Sequence, residues 1–125
     1  MRVYIAAPYP EIEAARALMA RVEAVGIEVT SRWLKFGFEE LTAENAEKDL
    51  EDVRAADALI AFNPPGYENK GTGGRHVEFG YAVALLKPII LLGAVSHIFH
   101  LLPGVVPVDN HTQLLYVLRG MAVEV

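Results

Sequence analysis

The sequence of 125 residues contains no cysteine, which excludes disulfide bonds, thiolate metal sites and cysteine nucleophiles. Basic residues are also few: 11 lysines and arginines stand against 16 aspartates and glutamates, giving a formal net charge of -5. This charge argues against a general binder of nucleic acid polymers, although a small anion can still be held by local groups. The longest apolar run, from Tyr81 to Val95, is interrupted by Lys87-Pro88, so no membrane span is expected. The first residues lack the apolar core of a signal peptide, and we therefore expect a soluble, cytoplasmic protein.

Apolar residues, in contrast, are abundant. They make up 53% of the chain, and the mean hydropathy is +0.27. The length fits one domain, residues 1–125, with its own hydrophobic core. So small a domain has a large surface for its volume, and its surplus of apolar residues predicts self-association into a homo-oligomer.

Strand-like and helix-like segments alternate along the chain. The predicted strands are 3–7, 27–30, 58–62, 88–92 and 105–108. The predicted helices are 11–25, 43–56, a segment that follows the glycines and ends before Lys87-Pro88, a short one at 96–102, and 112–120. Residues 31–41 are predicted as an aromatic loop, and Thr42 as the N-cap of the second helix. The alternation predicts an α/β fold with a five-stranded parallel sheet, whose ligands bind beyond the carboxyl ends of the strands.

A glycine-rich stretch, Lys70 to Tyr81, comes after the third strand and opens the helix that follows. Its glycines allow backbone to approach a ligand closely, and Glu78 is expected near the first turn of the helix. The spacing matches neither a dinucleotide-binding fingerprint nor a Walker A loop. A purely structural turn, with Glu78 doing no more than capping its own helix, remains an alternative.

Asp49 is a second notable carboxylate, because it falls within the apolar stripe of the predicted helix 43–56. A buried carboxylate is costly unless it has partners or borders a cavity. Asp49 and Glu78 are both predicted to project toward the strand carboxyl ends, where two carboxylates can divide the work of breaking a glycosidic bond. A nucleophilic Glu78 must be ionised, which the helix N-terminus favours and burial opposes.

Aromatic and histidine residues supply weaker signals. Trp33, Phe36 and Phe38 fit either a wall that stacks on a nucleobase or a cover over one edge of the core. His97 and His100 are spaced to share a helix face, but no carboxylate lies at a matching spacing. No metal site is therefore expected.

Several of these motifs, in this order, resemble the nucleoside 2-deoxyribosyltransferase family and its relatives that hydrolyse nucleotide N-glycosidic bonds. The matching segments are residues 3–9, Asp49-Leu50 with Asp57 eight residues after the acid, Gly74 with residues 78–82, and Lys87-Pro88. The resemblance implies a flavodoxin-like three-layer α/β/α fold and a double displacement at the sugar. It also implies that no cofactor is needed and that a neighbouring subunit completes each site.

The resemblance assigns roles to particular residues. Glu78 matches the nucleophile, Asp49 the acid that handles the proton of the base, and Tyr4 the tyrosine that orients the nucleophile. Tyr9 falls where the family places an aromatic residue beside the base, and Pro8 precedes it in the same loop.

The chain also departs from the family. Thr72 replaces an aspartate that the transferases carry, and resembles the hydroxyl that the hydrolases use for phosphate. The first loop has Pro8 and Pro10 where the hydrolases have serine and arginine. Arg75 stands where small residues are usual, and its charge, together with the backbone N–H groups of Gly73 and Gly74, is suited to a phosphate.

The predicted function is therefore cleavage of the N-glycosidic bond of 2'-deoxynucleosides or their 5'-monophosphates, with transfer of deoxyribose to another base or to water. Two alternatives remain open. The glycine, threonine and glutamate pattern is also similar to that of the cytokinin-activating nucleoside-monophosphate phosphoribohydrolases. A nucleotide-sensing domain that binds without turnover is the other, although a pure binder has little use for Tyr4, Asp49 and Glu78 together.

Overall fold

A computed structural model describes residues 1–37, 40–67 and 73–124. Five parallel strands form one sheet in the order β2-β1-β3-β4-β5. The strands are β1 (Arg2–Ala6), β2 (Glu28–Val29), β3 (Ala58–Asn63), β4 (Ile89–Gly93) and β5 (Val105–Val108). The helices are α1 (Ile12–Ala24), α2 (Arg32–Phe36), α3 (Ala43–Ala55), α4 (Gly74–Ala84) and α5 (His111–Glu124), with single 3-10 turns at Tyr9–Glu11 and Ile98–Leu101. The flavodoxin-like three-layer fold is confirmed, since this is the strand order of that fold.

The strands form the centre of the core. Residues of β1, β3 and β4 are almost fully buried over consecutive positions, as expected for strands covered on both faces. The chain moves outward from β1 to β2 and then returns to place β3 on the other side of β1. The loops after β1 and β3 therefore diverge and open a crevice at the carboxyl edge of the sheet.

The connection after β2 differs from the prediction. Part of the predicted aromatic loop is helix α2, which buries Trp33 and Leu34 and ends at Gly37, where the backbone φ is +64°. Trp33 anchors this helix because its indole Nε1 donates to the carbonyl of Ile5 at 3.0 Å. Local propensity did not reveal so short a helix, since packing against the sheet is what holds it. Phe38 lies outside the described residues.

Helix α3 begins as predicted. The hydroxyl of Thr42 accepts the backbone N–H of Asn45 at 3.1 Å, which satisfies one of the free donors of the first turn. In the part of the chain that the structure describes, no helix is long and apolar enough to cross a membrane.

Leu86, two residues after the end of α4, has an unusual left-handed backbone conformation with φ of +59°. The N–H groups of Leu86 and Lys87 bond to the carbonyls of Val83 and Ala82, which is the Schellman arrangement that glycine normally closes. The Leu86 side chain is 91% exposed and so gains little by packing within the chain.

We expect Leu86→Gly to raise the free energy of unfolding by about 0.5–1 kcal/mol, because glycine adopts this conformation without strain. Urea denaturation measures the change. Leu41→Gly is the matched control: Leu41 is 100% exposed but has no positive φ, so its replacement should not stabilise the protein. Equal or lower stability of Leu86→Gly would show that the left-handed backbone is not strained.

Candidate active site

A pocket of about 190 Å³ opens at the carboxyl edge of the sheet, between the loop after β1 and the start of α4. It is lined by Ala7, Pro8, Tyr9, Pro10, Trp33, Asp49, Gly73, Gly74, Arg75 and Glu78. The structure thus brings together eight of the ten residues that the sequence singled out for the site. Of the other two, Tyr4 lies beneath Glu78, and Thr72 lies outside the described residues.

Tyr4 is fully buried on β1, and its hydroxyl donates a hydrogen bond to Oε2 of Glu78. Burial raises the pKa of Tyr4 well above its ordinary value, and the nearby charges of Glu78 and Asp49 raise it further. The phenol therefore keeps its proton and acts as a donor. It fixes the orientation of the glutamate from below while the other side of the carboxyl faces the pocket.

Glu78 is the fifth residue of α4, directly after the first turn, near which the sequence predicted it. The alternative in which Glu78 only caps its own helix is wrong, since the first turn of α4 has no acidic residue and the N-cap makes no side-chain hydrogen bond. The favourable effect of a helix N-terminus falls off within one turn. Burial instead raises the pKa of Glu78 to about 8, with the Tyr4 hydrogen bond lowering it and the negative charge of Asp49 raising it.

Asp49 reaches the same pocket from α3 and shares a hydrogen bond with Glu78. Burial raises the pKa of Asp49 to about 6 and the charge of Asp52 adds to this, whereas Glu78 and Arg32 lower it. The Oδ1 atom of Asp49 is buried without a hydrogen-bond partner among the described residues. Between about pH 6 and pH 8, the two carboxyls therefore hold one proton between them.

Two aromatic side chains form one wall of the pocket. The ring of Tyr9 lies 6.1 Å from that of Trp33, at an interplanar angle of 40°. Trp33 is both a buried core residue and a lining residue of the pocket, and its stacking on a nucleobase stays a prediction. Phe36 belongs to neither, because it is 71% exposed and does not line the pocket.

Arg75 supplies a positive charge to the lining of the pocket. The side chain is 8% exposed, and its Nη2 donates to the carbonyl of Tyr67. Burial lowers the pKa of Arg75 from its ordinary value. A desolvated cation beside two glycines suits an anionic ligand group.

Three histidines, His76, His97 and His100, lie close together, with their rings in contact. His97 and His100 stack with ring centroids 3.7 Å apart, and Nδ1 of His100 accepts the backbone N–H of Ser96 at 3.1 Å. Burial lowers the pKa of His100 to about 4, so the ring is neutral. Within residues 1–37, 40–67 and 73–124, no three histidine, aspartate or glutamate side chains are arranged to hold a metal ion.

One charged pair near the pocket was not predicted from the sequence. Asp52 is buried on α3 and pairs with Arg32. The buried face of α3 thus includes Asp52 beside Val53. The spacing of Asp49 and Asp52 could have indicated that Asp52 is buried, since residues three apart share a helix face.

No protein-family model and no curated protein sequence matches the chain significantly. Its structure is similar to that of the CMP N-glycosidase BcmB from Clostridium botulinum, with 26% sequence identity, a TM-score of 0.64 and coverage of 95% of this chain and 98% of that one. It is also similar to a 2-deoxyribosyltransferase from Leishmania mexicana, with 22% identity, a TM-score of 0.59 and coverage of 75% of this chain and 65% of that one. Both structural neighbours are members of the nucleoside 2-deoxyribosyltransferase family, which confirms the resemblance predicted from the sequence.

Proposed function

We propose that this protein cleaves the N-glycosidic bond of 2'-deoxynucleosides or their 5'-monophosphates, with Glu78 as the nucleophile. The observation that carries the proposal is the hydrogen-bonded pair of Asp49 and Glu78 in one pocket, with the Tyr4 hydroxyl donating to Glu78. The structural neighbours support it, since one is a nucleotide N-glycosidase and the other a deoxyribosyltransferase.

The first step is a displacement at the sugar. A carboxylate oxygen of Glu78 forms a bond to C1', and the bond from C1' to the base nitrogen breaks with its electron pair going to the base. Asp49 donates its proton to the departing base, which then leaves as a neutral molecule. The hydrogen bond from Tyr4 holds the attacking carboxylate in line with C1'.

The second step releases the sugar. A water molecule, or a second base, attacks C1' and displaces the Glu78 carboxylate, while Asp49 takes up the proton that the attacking group loses. The site then returns to its starting state. Neither step requires a metal ion or a cofactor.

The protonation of the carboxyl pair limits when these steps can occur. The reactive arrangement has Glu78 ionised and Asp49 protonated. Because the pKa of Glu78 is the higher of the two, the single proton lies mainly on Glu78, and the reactive arrangement is the less populated placement of that proton, which exists only while the pair holds one. Activity should therefore be greatest between about pH 6 and pH 8, and should fall on either side.

The remaining lining residues are proposed to bind the substrate. Tyr9 and Trp33 contact the base, with Pro8 shaping the same loop, because aromatic rings stack readily on any base. The charge of Arg75 and the backbone of Gly73 and Gly74 receive the 5' end of the sugar, where Thr72 also belongs by its place in the sequence.

We also propose that the protein assembles into a homo-oligomer. Large apolar side chains stand exposed on α4 and on the segment before β5, including Val77, Ile98, Phe99 and Leu101. Large apolar side chains exposed in this number support self-association, because burying them in an interface removes them from water.

The proposal is tested by incubating the protein with deoxycytidine, deoxyadenosine, dCMP, dAMP and AMP, each with and without a free acceptor base, and separating the products by chromatography. Release of base from the deoxy substrates is the expected result. A new nucleoside formed only when the acceptor is present identifies transfer. Cleavage of AMP alone would favour the phosphoribohydrolase alternative, and nucleotide binding by calorimetry without release of base would contradict the proposed catalysis.

A further inference from the structure

We propose that Asp52, paired with Arg32, is a positioning residue of the pocket: it fixes α2, which carries Trp33, against α3, which carries Asp49, and its charge acts on the Asp49–Glu78 pair. This inference rests on the proposed function for its kinetic consequences. Its geometry is independent of that function.

The contacts around Asp52 are unusually complete for a carboxylate. The side chain is 9% exposed, and its Oδ2 accepts the backbone N–H of Arg32 at 3.0 Å while its Oδ1 accepts Nε of the same residue at 2.9 Å. The backbone carbonyl of Asp52 accepts the hydroxyl of Thr30 at 2.8 Å. A buried carboxylate with both oxygens bonded is fixed in place, and removing either partner leaves a costly unpaired charge.

These contacts join two walls of the pocket. Arg32 is the first residue of α2, and its neighbour Trp33 forms the aromatic wall. Asp49 lies one helical turn before Asp52 on α3. Helix α2 has only five residues and is too short to be stable alone, so the bond from the Arg32 backbone to Asp52 helps to hold it in position. The separation between Trp33 and Asp49 therefore depends on Asp52.

The same carboxylate also acts through its charge. Its negative charge contributes to raising the pKa of Asp49, of Glu78 and of Tyr4, while the positive charge of Arg32 lowers the pKa of Asp49. Arg75 is a further cation that lines the same pocket, from α4. Arg32 is itself shared with exposed Glu51, at 2.9 Å. Asp52 and Arg32 thus have opposite effects on the pKa of Asp49.

The test compares the pH dependence of kcat/KM for Asp52→Asn, Arg32→Gln and the double variant. Asparagine keeps an oxygen for the Arg32 backbone N–H but removes the charge, so both limbs of the profile should move to lower pH by roughly half a unit. Arg32→Gln leaves Asp52 uncompensated and should move them to higher pH. The double variant removes both charges and should return the profile to near that of the wild type.

Two further variants separate position from charge. Asp52→Ala removes the contact with the α2 backbone and should raise KM several-fold more than Asp52→Asn does, because the Trp33 wall loses its support. Glu51→Gln is the matched control, since it removes an exposed partner of the same arginine and should leave KM and the pH profile unchanged.

Carboxyl ¹³C NMR titration of Asp49 and Glu78 provides a measurement that needs no turnover. If the wild type releases no base, the proposed function fails, but the titration still reports whether Asp52→Asn lowers the pKa values of the pair. Unchanged titration in both Asp52→Asn and Arg32→Gln, or equal KM for the alanine and asparagine variants, would overturn the positioning role.

Discussion

Glu78→Gln should lower the rate of base release by at least about 10³-fold while leaving the protein folded. Glutamine has nearly the shape of the glutamate and can still accept the Tyr4 hydroxyl, but its neutral amide cannot form the glycosyl ester. Losses of this size are typical when a nucleophile is removed and binding is retained. Single-turnover release of base at pH 7, followed by chromatography, measures the effect.

Although Glu78→Gln should lower activity, it should raise the free energy of unfolding. The pKa of Glu78 is about 8 in the folded protein and lower in the unfolded chain, so the folded state holds this proton more tightly. The free energy of unfolding therefore falls as the pH rises toward 8, because the buried carboxyl must then ionise. Glutamine has no charge to bury. Glu78→Gln should therefore be more stable than the wild type at pH 8, by about 1–2 kcal/mol after allowance for solvent contact, and nearly equal to it at pH 4.

A second variant distinguishes a missing nucleophile from a damaged pocket. Glu78→Ala opens space beside C1', so added azide or formate should restore part of the activity, whereas the glutamine variant should not respond. Glu23→Gln, an exposed change on α1, serves as the control and should have wild-type activity. Activity of Glu78→Gln within ten-fold of the wild type would exclude Glu78 as the nucleophile.

The fold could be predicted from the sequence because each buried strand is an apolar run, and the helix that follows it has its own periodicity. All five strands were predicted close to their observed positions, and the Thr42 cap was placed correctly. The sequence was weaker where structure depends on distant contacts. Helix α2 is held by the indole bond of Trp33 to Ile5 and by Asp52, and no local pattern encodes either partner.

The same distinction applies to the candidate site. The two carboxylates were recognisable because an acid within an apolar face needs a partner or a cavity, and the pocket now contains both. Their protonation was not predictable, since it depends on how deeply each side chain is buried and on its neighbours. Of the two opposing influences expected on Glu78, the helix N-terminus and burial, burial is the larger and raises the pKa.

Asp49→Asn should lower kcat by roughly 10²–10³-fold, because it removes the proton donor but keeps the nucleophile. The loss should depend on the leaving group. A base that departs readily as an anion, such as 5-fluorouracil from 5-fluoro-2'-deoxyuridine, needs little protonation and should show a much smaller decrease than deoxyadenosine. The ratio of the two kcat values in wild type and variant measures this difference. A matched change on the exposed side of α3, Glu47→Gln, should alter neither substrate.

The pH profile of the same variant tests the division of roles within the pair. In the wild type, activity should fall above about pH 8, where the pair loses its last proton. In Asp49→Asn that proton is no longer used, so activity should rise with pH as Glu78 ionises and then stay level. The rise should also begin at lower pH than the pKa of about 8, because the negative charge of Asp49 that disfavours ionisation of Glu78 has been removed. A bell-shaped profile that persists in the variant would assign the acid role to a different group.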